Sequence, residues 1–76
     1  MTTKYWQMNL KGERSADEIQ AAVGKGGGLL VRYHVERGGT RVYFVGPESA
    51  SSEVPMAIDG ADGPHEVRVE EVVQLS

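Results

Sequence analysis

A small α+β fold, with one helix set against a four-stranded mixed or antiparallel sheet, follows from three patterns in the chain. Residues 4–11 alternate apolar and polar side chains, the period of two expected of a half-buried strand. Ser15-Ala16-Asp17-Glu18 then spells a helix N-terminus. Finally, two strand-like runs at 29–36 and 40–45 flank Gly38-Gly39, a tight-turn pair that marks a β-hairpin.

The opening strand places Trp6, Met8 and Leu10 on one face and Tyr5, Gln7, Asn9 and Lys11 on the other, and Gly12 ends it. In the helix that follows, the Ser15 hydroxyl is placed to accept from the Glu18 amide, and the Glu18 carboxylate to return to the Ser15 amide. Asp17 and Glu18 suit the positive end of the helix dipole. Ala16, Ile19, Ala22 and Val23 share one face, so the helix is expected over 16–23, with Gly24 as its left-handed stop.

The second strand is expected to turn Leu29, Val31, Tyr33 and Val35 inward and Arg32, His34 and Glu36 outward. Positive φ at both Gly38 and Gly39 would close a two-residue turn. The return strand, Thr40 to Val45, is apolar on both faces. Either Val42 and Phe44 face the helix, leaving Arg41, Tyr43 and Val45 outside, or the reverse holds. Such a strand is buried on both sides or half-covered by a partner.

Residues 46–64 carry all the prolines and most of the breakers, and read as a long irregular loop. Within it, 49–54 has the makings of one helical turn, and Val54, Met56 and Ile58 could tuck an apolar edge onto the sheet. Residues 66–75 read as the last strand, with a bulge near Glu70-Glu71 to keep Val67, Val69, Val73 and Leu75 in phase. The order is β-α-β-β-(loop)-β, with the first two strands parallel through a right-handed crossover. Over the whole chain this element order resembles a ferredoxin-like domain whose second helix is replaced by the loop. The resemblance implies a single sandwich over 1–76.

Composition narrows the chemistry. The chain has 76 residues, the size of one small domain, at which a single core stabilises only marginally. It has no cysteine, which excludes disulfides, thiolate metal sites and cysteine nucleophiles. A net charge of −3, with Lys and Arg scattered, disfavours a general polyanion binder. No apolar stretch approaches a membrane span, and the first residues lack a signal-peptide core, so a cytoplasmic domain is the expectation.

No catalytic constellation emerges. Ser, His and Asp occur without a nucleophile elbow or a spaced carboxylate pair. His34 and His65, with Asp59, Asp62 or Glu66, follow no recognised metal-ligand spacing, and Asp59-Gly60-Ala61-Asp62-Gly63 reads as a turn rather than a calcium loop. Neither a metal nor a cofactor is expected. Lys25, Gly26 and Gly27, within Gly24–Gly28, could form a backbone nest for an anion. That run follows a helix, whereas a phosphate loop precedes one, and the dipole there is negative.

The expectation for function is a non-enzymatic interaction or regulatory domain that associates with itself through the open face of the sheet. Tyr5, Arg32, His34, Arg41, Tyr43 and Val45 would form that face. Two alternatives use neighbouring features. If Tyr5 and Tyr43 both stand on the open sheet, the arrangement resembles RNA-recognition domains, which stack bases on sheet aromatics. Thr40–Gly46 matches their third-strand signature only as an aromatic pair, and Glu36, Glu66 and Glu70 are expected on the same surface. The other alternative is a small-ligand module in which the long loop closes over the sheet.

Overall fold

The computed structural model describes residues 3–73. Its elements are β1 (Lys4–Lys11), α1 (Ala16–Lys25), β2 (Leu29–Glu36), β3 (Gly39–Gly46), α2 (Ala50–Met56), β4 (His65–Val67) and α3 (Val69–Val73). The sheet order is β2-β3-β1-β4, and every neighbouring pair is antiparallel. β1 and β2 run in the same direction, as strands linked through a helix should, but β3 lies between them. The sheet is antiparallel throughout, not mixed.

One face of the sheet carries the main core. Register aligns Trp6 with Phe44, Met8 with Val42 and Leu10 with Thr40. These side chains pack with Ile19, Ala22 and Val23 of α1 and with Ala50, Val54 and Ile58 from α2 and its exit. The Trp6 indole N–H donates to the Gly46 carbonyl at 3.2 Å, so its polar edge is satisfied inside the core. Val42 and Phe44 face the helices, which settles the orientation of β3.

α1 begins as its capping residues dictate. The Ser15 hydroxyl accepts from the Glu18 amide at 3.2 Å. The Glu18 carboxylate does not return to the cap, because the Arg14 guanidinium takes it at 2.9 Å. The helix also runs past Gly24. The Gly27 amide donates to the Gly24 carbonyl and the Gly28 amide to the Val23 carbonyl, with Gly27 at φ +78°. This bonding pattern is a Schellman stop displaced by three residues from the expected one.

Residues 46–64 are not one irregular loop. α2 lies within them, beginning after turns in which Ala50 and Ser51 donate to the carbonyls of Pro47 and Glu48. Ala50 and Val54, four apart, bury together against the core, although Pro55 sits in the last turn. One turn from Ser49 was visible in the pattern; burial of Val54 and Ile58 extends the order, while Met56 stays exposed. The Asp59–Gly63 stretch is a turn that clasps β1. The Asp62 carboxylate accepts from the Asn9 amide at 2.9 Å and from its side chain at 3.2 Å.

The C-terminal strand is the largest departure. β4 pairs with β1 only at Tyr5–Val67, Trp6–Glu66 and Gln7–His65, and the chain then turns into α3. No bulge is needed at Glu70-Glu71, because those residues are helical; Gln74 and Leu75 lie outside the described residues. α3 lies over the sheet face opposite α1 and α2, where Val72 packs with Tyr43 and Val67, and Tyr5 completes the cluster. The sheet is therefore covered on both sides, over most of one face and in part of the other.

β2 also departs from simple alternation. Its pairing with β3 slips between Leu30 and Arg32, the signature of a β-bulge at Val31. Leu30 lies opposite Phe44 and packs on the core, whereas Leu29 lies opposite Val45 in the row of the other face. Beyond the bulge, Tyr33 and Val35 join the helix-side rows of Val42 and Thr40. Among the positive-φ glycines the hairpin uses only Gly38; Gly39 already belongs to β3.

Candidate functional site

The six residues expected on the open face do share it, in three cross-strand rows. Tyr5 pairs with Val45; Gln7 pairs with Tyr43, which faces Arg32; Asn9 pairs with Arg41, which faces His34. The rows are not equally available. Tyr43 is only 5% exposed, buried beneath α3 with Val67 and Val72. Arg32 donates to the Val72 carbonyl at 3.1 Å, tying β2 to α3. A cleft lined by Tyr5, Val31, Arg32, Val69, Val72 and Val73 remains beside that contact. α3 thus occupies the centre of the face, leaving the Arg41 and His34 end outside it.

Charges on that end are already paired in part. Arg41 meets the Glu36 carboxylate at 3.0 Å. His34 Nε2 is buried and, among the described residues, has no hydrogen-bond partner. Glu66 does not share the surface, because it lies opposite Trp6 on the helix side and pairs with Lys4 at 3.6 Å. The aromatic pair also fails as a stacking platform, since a ring beneath α3 cannot take a base on its face.

The glycine run is committed to packing. Its amides at Gly26, Gly27 and Gly28 donate to the Val23 and Gly24 carbonyls, so they are directed into the helix end rather than outward. A Cβ at Gly26 would come within 2.6 Å of Val54, and one at Gly28 within 2.7 Å of the Val45 carbonyl oxygen. These glycines let α2 and β3 approach α1. Lys25 itself is exposed. His34 and His65 sit on opposite edges of the sheet, with β3 and β1 between them. Among the described residues, no three His, Cys, Asp or Glu side chains gather as a metal site would require.

The outer edge of β2 is the feature the sequence pattern misplaced. Among the described residues β2 has a strand neighbour on one side only. Leu29, Val31, Tyr33 and Val35 were expected inward, yet they are 62%, 44%, 36% and 47% exposed. Edge strands normally blunt their free backbone groups with Pro, Lys, short length or an inward charge. β2 has eight residues and contains neither Pro nor Lys. Its blunting devices are the bulge and the charges of Arg32 and Glu36, and beside the bulge the Leu30 amide is capped by the Gln20 side chain at 2.9 Å. The segment Arg32–Glu36 beyond the bulge is regular and open. β4, at the other edge, has only three residues.

A tally of which loop covers which strand would have exposed this edge. One short helix cannot cover a four-stranded sheet, and α1 meets β2 only at its start, where Leu30 packs on the core, leaving Tyr33 and Val35 uncovered. Among the described residues, no helix is long and apolar enough to cross a membrane. No protein-family model matches the chain, and neither the curated proteins nor the solved structures give a significant match.

Proposed function

We propose that this chain is a small non-enzymatic interaction domain of ferredoxin-like architecture that takes up an extended polypeptide segment along the outer edge of β2. The β-α-β-β-α-β order with strands arranged β2-β3-β1-β4 supports the architecture. The observation that carries the function is the exposed apolar run on an edge strand that is left open beyond its bulge. Strand addition draws its affinity from main-chain hydrogen bonds and its selectivity from alternate side chains. Tyr33 and Val35 would supply an apolar helix-side row for such a segment, and Arg32, His34 and Glu36 a polar row on the other face. This moves the interaction site from the centre of the open face, which α3 covers, to its margin at Arg32 and His34.

The test is a selection from a random peptide display library followed by amide-resolved NMR with the enriched peptides. Shifts concentrated in Arg32–Glu36 and their β3 partners are expected. Enriched peptides that map to α2 or to the Tyr5 cleft, or the absence of any enrichment, would overturn the assignment.

A further inference from the structure

We infer that the segment taken up by β2 is β2 of a second copy of this chain, in an antiparallel register centred on His34. This rests on the reading of β2 as an uptake edge and names its partner. Two identical antiparallel edge strands are related by a dyad perpendicular to the sheet, so one residue must face its own copy and all pairs must share a face. The geometry then allows only a few registers. The bulge between Leu30 and Arg32 and the end of the strand at Glu36 leave Arg32–Glu36 as the regular segment. Its midpoint is His34.

Side-chain complementarity selects the same register independently. With His34 on the dyad, Arg32 lies opposite Glu36 of the second copy, and Glu36 opposite its Arg32. Tyr33 and Val35 likewise face Val35 and Tyr33. The pairing thus sets opposite charges against each other twice on one face, adding to the contacts Arg32 makes with the Val72 carbonyl and Glu36 with Arg41, and forms two apolar pairs on the other face, each favourable across strands. A dyad at Arg32 would set two arginines against each other. A dyad at Tyr33 would place Leu30, which packs on the core, opposite Glu36. A dyad at Val35 would put Tyr33 opposite Arg37. Only the His34 register gives every position of the regular segment a matched partner, His34 meeting its own kind.

The consequence is one continuous eight-stranded sheet with both helical layers on the same side, so that Tyr33 and Val35 of the two copies extend the helix-side surface across the seam. The contact is a strand pair with flanking side chains, smaller than a standard stable interface. A dissociation constant in the micromolar range or weaker is therefore expected.

The experiment is sedimentation equilibrium over a concentration series with wild type, Arg32→Glu, Glu36→Arg and the double charge exchange, with amide NMR confirming that each is folded. Arg32→Glu and Glu36→Arg each create two like-charge pairs and should raise the dissociation constant about tenfold. The double exchange restores both pairs and should return it to within about threefold of wild type. His34→Arg, which sets two arginines on the dyad, should weaken association as well. A wild type that stays monomeric up to millimolar concentration overturns the self-pairing, and so do single exchanges without rescue in the double variant. Peptides that still map to β2 while the wild type remains monomeric would leave the uptake edge standing and remove only the second copy.

Discussion

Thr40 shows how a single hydroxyl joins two elements. It is almost fully buried, donates to the Gly12 carbonyl at 2.8 Å and accepts the Arg14 amide at 3.2 Å, linking β3 to the turn before α1. Thr40→Val keeps the shape but deprives both backbone groups of their side-chain partner. A loss of about 1–3 kcal/mol is expected, read as a lower urea midpoint at unchanged slope, while Thr40→Ser should lose distinctly less. At this scale the apolar residues of β1 and α1 were legible, because each pattern was local and in phase with its element. Tyr43 was not. The two-sided apolar pattern of Thr40–Val45 says that both faces of β3 are covered, by the chain itself or by a partner, but not which face meets the helices or that α3 returns over Tyr43. Tyr43→Asp therefore reports on folding and not, as an exposed tyrosine would, on assembly.

Elements were legible in proportion to how much of their stabilisation is local. α1 carries its own cap and its own apolar face. α2 carries serines and a proline, which favour turns, and its helix exists because Ala50 and Val54 dock against Gly26. Residues 69–73 are β-branched and acidic, a strand-like composition, yet they fold as α3 where Val72 finds Tyr43 and Val67. Tertiary burial overrides propensity in both cases. The two clusters lie on opposite faces of the sheet, which allows a separable test. Val72→Asp places an unpaired carboxylate against Tyr43 and should release α3. Amide shifts are expected to concentrate at Tyr5, Arg32, Tyr43 and Val67, with the Trp6–Ile19–Val54 side nearly unmoved and about 1–3 kcal/mol of stability lost. Shifts spread evenly across both faces would show instead that the two clusters form one cooperative core.

For the molecule as a whole, the radius of gyration of 11.1 Å is that of a compact chain of this length, close to the roughly 11.4 Å expected. The exposure of β2 is therefore a property of the topology and not of loose packing. With helices covering the middle of one face and α3 the middle of the other, the outer strand is left with four exposed apolar side chains. The sequence displayed those apolar residues, but strand order is a non-local property, and alternation alone assigned them to the interior. If β2 pairs with its own copy, association and folding stability are linked, because only the folded chain offers the edge. At a total concentration of about 100 times the dissociation constant, mass action within a monomer–dimer equilibrium stabilises each chain by about 1.5 kcal/mol. In a domain of this size that corresponds to a rise of roughly 6–12 °C in the thermal midpoint. Calorimetry of wild type over a concentration series up to that value should show the rise, and Arg32→Glu, with a constant about tenfold weaker, should retain only about 1 kcal/mol of it at the same concentration. A midpoint independent of concentration in wild type would mean that the folded monomer is the thermodynamic unit and that β2 stays unpaired with its own kind.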